Sequence, residues 1–289
     1  MHYGPQYGHA YAMPHPPPPD PPERPEGLPG FPSWPAWYAP AAFGTGVFAL
    51  MILAGIVGVA SGGEIGKGAE LVLTVALQVT FVAIAVFFAS RTERPRAAHF
   101  GLRSAPFWRT IGWAALGWAS FFVVSLTYGA LVKDRPKQPL LNELKSEEDM
   151  VLVASFAVLA IVCAPIAEEF FFRGFFYRAL RSRMSVLVAA VLDGVIFGLI
   201  HYDGSSTLVA LPVLATLGFV FCLVYEKTGT LFSVIGLHAL NNMLAVGVAT
   251  EKWGLALGLG FSMLAACVVL PSVLGTGARR PPSHAPARA

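Results

Sequence analysis

The stretch IAEEFFFRGFF, Ile166 to Phe176, sets Glu168, Glu169 and Arg173 among five phenylalanines. It lies inside an apolar run of about residues 150–180, longer than the roughly 20 residues that cross a bilayer. Charged side chains held in hydrocarbon cost at least about 2.5–3.5 kcal/mol each, so the default reading of such groups is functional. Helical spacing divides the three. Glu169 and Arg173 are four residues apart, share one face and can neutralise each other. Glu168 is rotated by about 100° and remains open to a different partner.

The composition around this stretch agrees with a membrane setting. The 289 residues are 55% hydrophobic and only 13% charged, about half the charge of an ordinary soluble domain. Mean hydropathy is +0.60. A net charge of +3 is small, and the arginines cluster beside apolar segments. They read as topology signals and not as a nucleic-acid surface. Cys163, Cys222 and Cys267 fall in apolar runs without CxxC spacing. They are expected to be small buried hydrophobes, not zinc or disulfide partners.

Beyond the opening stretch, apolar runs fall at about 41–61, 69–90, 107–132, 184–202, 206–226, 230–250 and 253–274. With 150–180 they predict an all-α polytopic membrane protein with about eight transmembrane helices. Five regions follow. Residues 1–37 are a Pro-rich tail expected to be disordered, with no cationic start before an apolar stretch and so not read as a signal peptide. Residues 38–132 carry three helices, 150–250 the polar-bearing helical core, 251–274 the last helix and 275–289 a flexible tail. The basic segments 91–103 and 178–183 and the arginines of the C-terminal tail fall on one side of eight spans. Both termini are therefore expected in the cytoplasm. The polar loop 133–149, with its own Lys and Arg, runs against that rule.

Four sets of polar residues lie within the apolar runs: Glu168, Glu169 and Arg173; His201; His238 with Asn242; and Asp193. Phe197 and His201 are four apart, as are His238 and Asn242. Counting from a turn near Arg183, Glu168 lies about 22 Å back and His201 about 27 Å forward, similar heights for an antiparallel pair. A water could bridge them. His238 comes out shallower. Asp193 is expected to make a polar packing contact or to hold a water, and the phenylalanines to face lipid or the core.

A carboxylate in low dielectric suits a general base, and a histidine can share the proton of its water. A second histidine and an asparagine supply donors for an oxyanion. The same types match two-His-plus-carboxylate zinc, which would take Glu168, His201 and His238. Residue types leave metal-free and metal-assisted hydrolysis both open. HExxH, GxSG with a downstream histidine and GxGD are absent.

EEFFFR (168–173), FGLIH (197–201) and HALNN (238–242) resemble the EExxxR, FxxxH and HxxxN signatures of the CPBP family, the CAAX-protease and bacteriocin-processing intramembrane proteases. Pro165 and Gly174 resemble it too, and the likeness covers about residues 150–250. It implies an endopeptidase in which Glu168 activates water with help from His201. His238 and Asn242 would hold the oxyanion, and Glu169 and Arg173 would shape the site. The family is often called metalloprotease, yet its better-understood members look like metal-independent glutamate proteases. No cofactor is expected on that likeness, with zinc as the alternative. Partners would be a membrane-anchored protein or peptide substrate and the lipid bilayer, with no nucleic acid. The Ala/Gly/Pro/Arg-rich style points to a bacterial inner membrane. A catalytically silent scaffold or immunity protein, or a proton-coupled transporter, would bury similar residues.

Overall fold

The computed structural model describes residues 34–63, 66–132, 147–202, 204 and 207–273. What was expected of residues 1–33, most of the polar loop and the C-terminal tail lies outside the described residues. Trp34, near the end of the Pro-rich segment, is buried with its ring centroid 5.2 Å from those of Phe100 and Phe175.

The chain folds into α1 (Tyr38–Ala60), α2 (Lys67–Ser90), α3 (Phe107–Leu131), α4 (Met150–Arg181), α5 (Val186–Leu199), α6 (Leu211–Thr228), α7 (Leu231–Thr250) and α8 (Trp253–Val273). Among the described residues every regular element is helical. Seven of these helices are long and apolar enough to cross a membrane, as a multi-pass protein requires. The exception corrects the expected span 184–202. α5 has 14 residues, about 21 Å at 1.5 Å per residue, well short of a hydrocarbon core of about 30 Å. Ser185 caps its start by accepting from the Val188 N–H at 3.4 Å, and turns separate its end from α6.

α7 is the central helix: 67% of its apolar window is buried, against 6–17% for α1, α2, α3 and α8. α4 and α6 pack beside it. Phe171, Phe172, Phe175 and Phe176 are buried on α4, so this stretch builds the core and does not face lipid. Of the cysteines only Cys222 is buried; Cys163 on α4 is exposed and Cys267 on α8 is partly buried.

Two π-helical stretches, Leu159–Cys163 and Phe170–Phe176, flank the α-helical Ala164–Glu169 within α4. Pro165 explains a consequence of the first. The Ala164 N–H bonds five residues back to the Leu159 carbonyl. The next bond of that register would run from residue 165 to Ala160, and proline has no N–H to make it. The Ala160 carbonyl takes its hydrogen bond from Asn242 Nδ2 of α7 instead, at 2.8 Å.

α5 and α6 approach closely through glycine. A Cβ on Gly194 would stand 2.6 Å from the Ala215 carbonyl oxygen, and one on Gly218 would stand 2.9 Å from the Gly194 Cα. Small residues at such a crossing let two backbones pack in lipid. The basic connection between α2 and α3 is held to the helices it crosses: Arg178 donates to the His99 carbonyl at 2.6 Å, Arg103 to that of Gly229 at 2.6 Å, and the Leu231 N–H to Gly101 at 2.8 Å. At the other end, Lys67 pairs with Glu147 at 2.7 Å and holds that carboxyl below its ordinary range.

Candidate active site

The middle of α4 delivers Glu168, Glu169 and Arg173 into the bundle, all buried. Arg173 and Glu169 form the pair that their spacing predicts, Nη1 to Oε1 at 2.8 Å. The guanidinium also donates to the Gly218 carbonyl at 2.8 Å, and its Nε lies 3.6 Å from Asp193 Oδ1. The rings of Phe197, Phe221 and Phe172 surround it at 4.5, 5.3 and 5.7 Å. Cys222 donates to Asp193 at 3.1 Å, the polar packing contact expected of that carboxylate. Arg173 thus spans α4, α5 and α6, and the glycine-allowed approach of α5 to α6 brings the Gly218 carbonyl within its reach.

His238 of α7 completes the cluster. Its Nδ1 lies 2.8 Å from Glu169 Oε1 and its Nε2 lies 3.9 Å from Glu168 Oε2. Glu169 Oε1 already accepts from Arg173, so the proton of the first contact sits on His238 Nδ1. In the neutral ring, Nε2 is then an acceptor facing a carboxylate oxygen. Their separation is too long for a direct hydrogen bond, and a molecule with two O–H donors satisfies both. Glu168 Oε1 is occupied separately, by Gln78 Nε2 of α2 at 3.0 Å. Its Oε2 is buried without a hydrogen-bond partner among the described residues.

His201 stands apart from this cluster. Its Nδ1 is 2.8 Å from the Phe197 carbonyl, and the Phe197 ring packs against both histidines, 5.0 Å from His201 and 5.8 Å from His238. Among the described residues no hydrogen bond or ion pair joins His201 to a glutamate. The histidine in direct contact with the glutamates is therefore His238. Asn242 is also engaged elsewhere, on the Ala160 carbonyl, while its Oδ1 accepts from Asn241 at 3.2 Å.

The donor set Glu168, His201 and His238 does not converge, and among the described residues no three His, Cys, Asp or Glu side chains meet as a metal-holding group. Sequence reasoning missed Gln78. The available signal was a lone amide within the apolar run of α2, where an unpaired polar group is costly. Outside the cluster, a groove of about 590 Å³ opens between α2 and α4, walled by Leu71 and Val75 on one side and Val151, Ala154, Val158 and Cys163 on the other. Gln78 and Glu168 follow further along the same two helices.

Residues 150–244 match the family described as "Type II CAAX prenyl endopeptidase Rce1-like". That segment runs from the start of α4 into α7 and carries Glu168 through Asn242; α2 and Gln78 lie outside it. The chain is 28% identical over 114 residues to "Putative membrane peptidase YdiL" of Bacillus subtilis (strain 168), covering 39% of this chain and 43% of that one. It is 28% identical over 155 residues to "Uncharacterized protein YyaK" of the same organism, covering 50% and 49%. The chain thus spans about half the length of the curated relatives it matches. No solved structure matches.

Proposed function

We propose that the chain is an intramembrane endopeptidase that hydrolyses a peptide bond in a membrane-associated protein or peptide, with Glu168 as the base. One observation carries this reading: Glu168 Oε2 and His238 Nε2 face each other at 3.9 Å, neither with a hydrogen-bond partner among the described residues, while Glu169 is engaged by Arg173 and His238. The match of residues 150–244 to a prenyl endopeptidase family supports the same class.

A water donating one hydrogen to Glu168 and the other to His238 is aligned to attack a substrate carbonyl. Its proton passes to the Glu168 carboxylate as the new C–O bond forms and the carbonyl electrons move onto oxygen. Collapse breaks the C–N bond, and the leaving amine takes the proton back, which regenerates the carboxylate. His201, whose Nε2 makes no hydrogen bond among the described residues, is assigned to the leaving-amine side. These steps use Glu168, His238 and water, and no metal is assigned to them. Under this reading the basic segments 91–103 and 178–183, which follow the second and fourth spans, face the cytoplasm of a bacterial cell, and the N-terminus lies on that same side.

The direct test compares membrane proteomes of the host carrying the wild-type chain and a Glu168→Ala chain. Uncut precursors should accumulate in the variant, and their new N-termini or C-termini should be absent. Identical proteomes would sink the proposal.

A further inference from the structure

We infer that Gln78 of α2 is a positioning residue for Glu168, fixing which carboxylate oxygen is left to act. The inference rests on the reading of Glu168 as the base and extends it to a helix outside the family match.

A free carboxylate rotates and offers two equivalent oxygens. Gln78 removes that equivalence by donating Nε2 to Oε1 at 3.0 Å, leaving Oε2 toward His238 Nε2 at 3.9 Å. An amide donor facing a carboxylate is a charge-assisted hydrogen bond, stronger and more directional than one between neutral groups. The register of the contact is held by the next turn. Phe81 of α2 stacks on Phe171 of α4 with ring centroids 4.5 Å apart, and both residues lie three positions beyond the Gln78–Glu168 pair. The two helices therefore run in the same direction here, and the amide sits at one height.

Packing alone does not account for this residue. The other buried positions of α2 are Phe81, Ala85 and Ala89, and an apolar side chain at 78 would fill the space without burying an amide. Gln78 Oε1 is itself buried with no hydrogen-bond partner among the described residues, a cost a filler residue would not retain.

The test uses the full chain in liposomes, an internally quenched membrane-peptide library as substrate, and four proteins: wild type, Gln78→Met, Glu168→Gln and the double variant. Methionine keeps the length and apolar stem of glutamine and lacks the donor. Gln78→Met is expected to lower kcat about 10- to 100-fold, with KM and the thermal midpoint held. The double variant should then be no slower than Glu168→Gln alone. A wild-type kcat in Gln78→Met beside an inactive Glu168→Gln overturns the role of Gln78 and spares the mechanism. A wild-type rate in Glu168→Gln overturns the mechanism itself. A loss in Gln78→Met that tracks a falling midpoint, with kcat and KM both changed, marks a structural residue and also overturns the inference.

Discussion

The Nδ1–H of His238 donates to Oε1 of Glu169 at 2.8 Å, and this one contact orders the whole cluster. It fixes the tautomer of the ring, commits Glu169 to a supporting role beside Arg173, and aims Nε2 at the remaining glutamate.

The two adjacent glutamates should therefore fail differently. Glu168→Gln is expected to lose about 10²- to 10⁴-fold in cleavage rate, the usual worth of a general base, with an unchanged thermal midpoint. Glu169→Gln should lower the midpoint as well, because it weakens the partner of a fully buried Arg173. Breaking a buried pair costs about 3–5 kcal/mol. Equal midpoints for the two variants would contradict this division.

His238→Ala is expected to lose both activity and stability, since it strips a donor from Glu169 and an acceptor from the space beside Glu168. His201→Ala should reduce activity with little effect on the midpoint, since among the described residues its ring bonds the Phe197 carbonyl one turn back on the same helix and packs on the Phe197 ring. Steady-state cleavage and thermal unfolding in detergent separate the two.

Asn242 stabilises a carbonyl that Pro165 leaves without its backbone donor. Asn242→Leu should destabilise by about 1–3 kcal/mol, the cost of a buried unsatisfied carbonyl. Adding Pro165→Ala restores an N–H at position 165 and should recover much of that loss. A double variant no more stable than Asn242→Leu would refute the account.

Gly194→Leu and Gly218→Leu should each force α5 from α6, since the added Cβ alone meets backbone at under 3 Å. Overpacking of this kind costs about 1–3 kcal/mol or more. The Gly218 carbonyl would also move away from Arg173, so cleavage should fall along with stability.

Activity of a chelator-washed preparation should match that of the untreated protein, because Glu168, His201 and His238 do not gather as ligands. Restoration of a lost rate by added zinc would show that a metal takes part.

The helices were legible because their apolar runs are long and their polar residues few. The Glu169–Arg173 pair was legible because its partners sit one turn apart on a single helix. Gln78 was not, since a lone glutamine in an apolar run gives no hint of which helix it faces. Nor was the contact of His238 with both glutamates: two histidines lie in suitable motifs, and which of them touches a glutamate is set by how helices pack and not by spacing within one helix.

By itself the sequence determined the membrane-spanning all-helical class, the location of the polar core in α4, α5 and α7, and the division of one glutamate from its neighbour. These follow from hydropathy and from the 3.6-residue turn, which act within a single helix. Only the tertiary structure decided that His238 meets both glutamates, that Asn242 is bound to the Ala160 carbonyl, and that Gln78 holds Glu168. Those relations depend on which helix faces meet, and that is set by close packing between different helices: glycines that let α5 approach α6, a phenylalanine stack that sets α2 against α4, and a proline whose missing N–H is answered from α7.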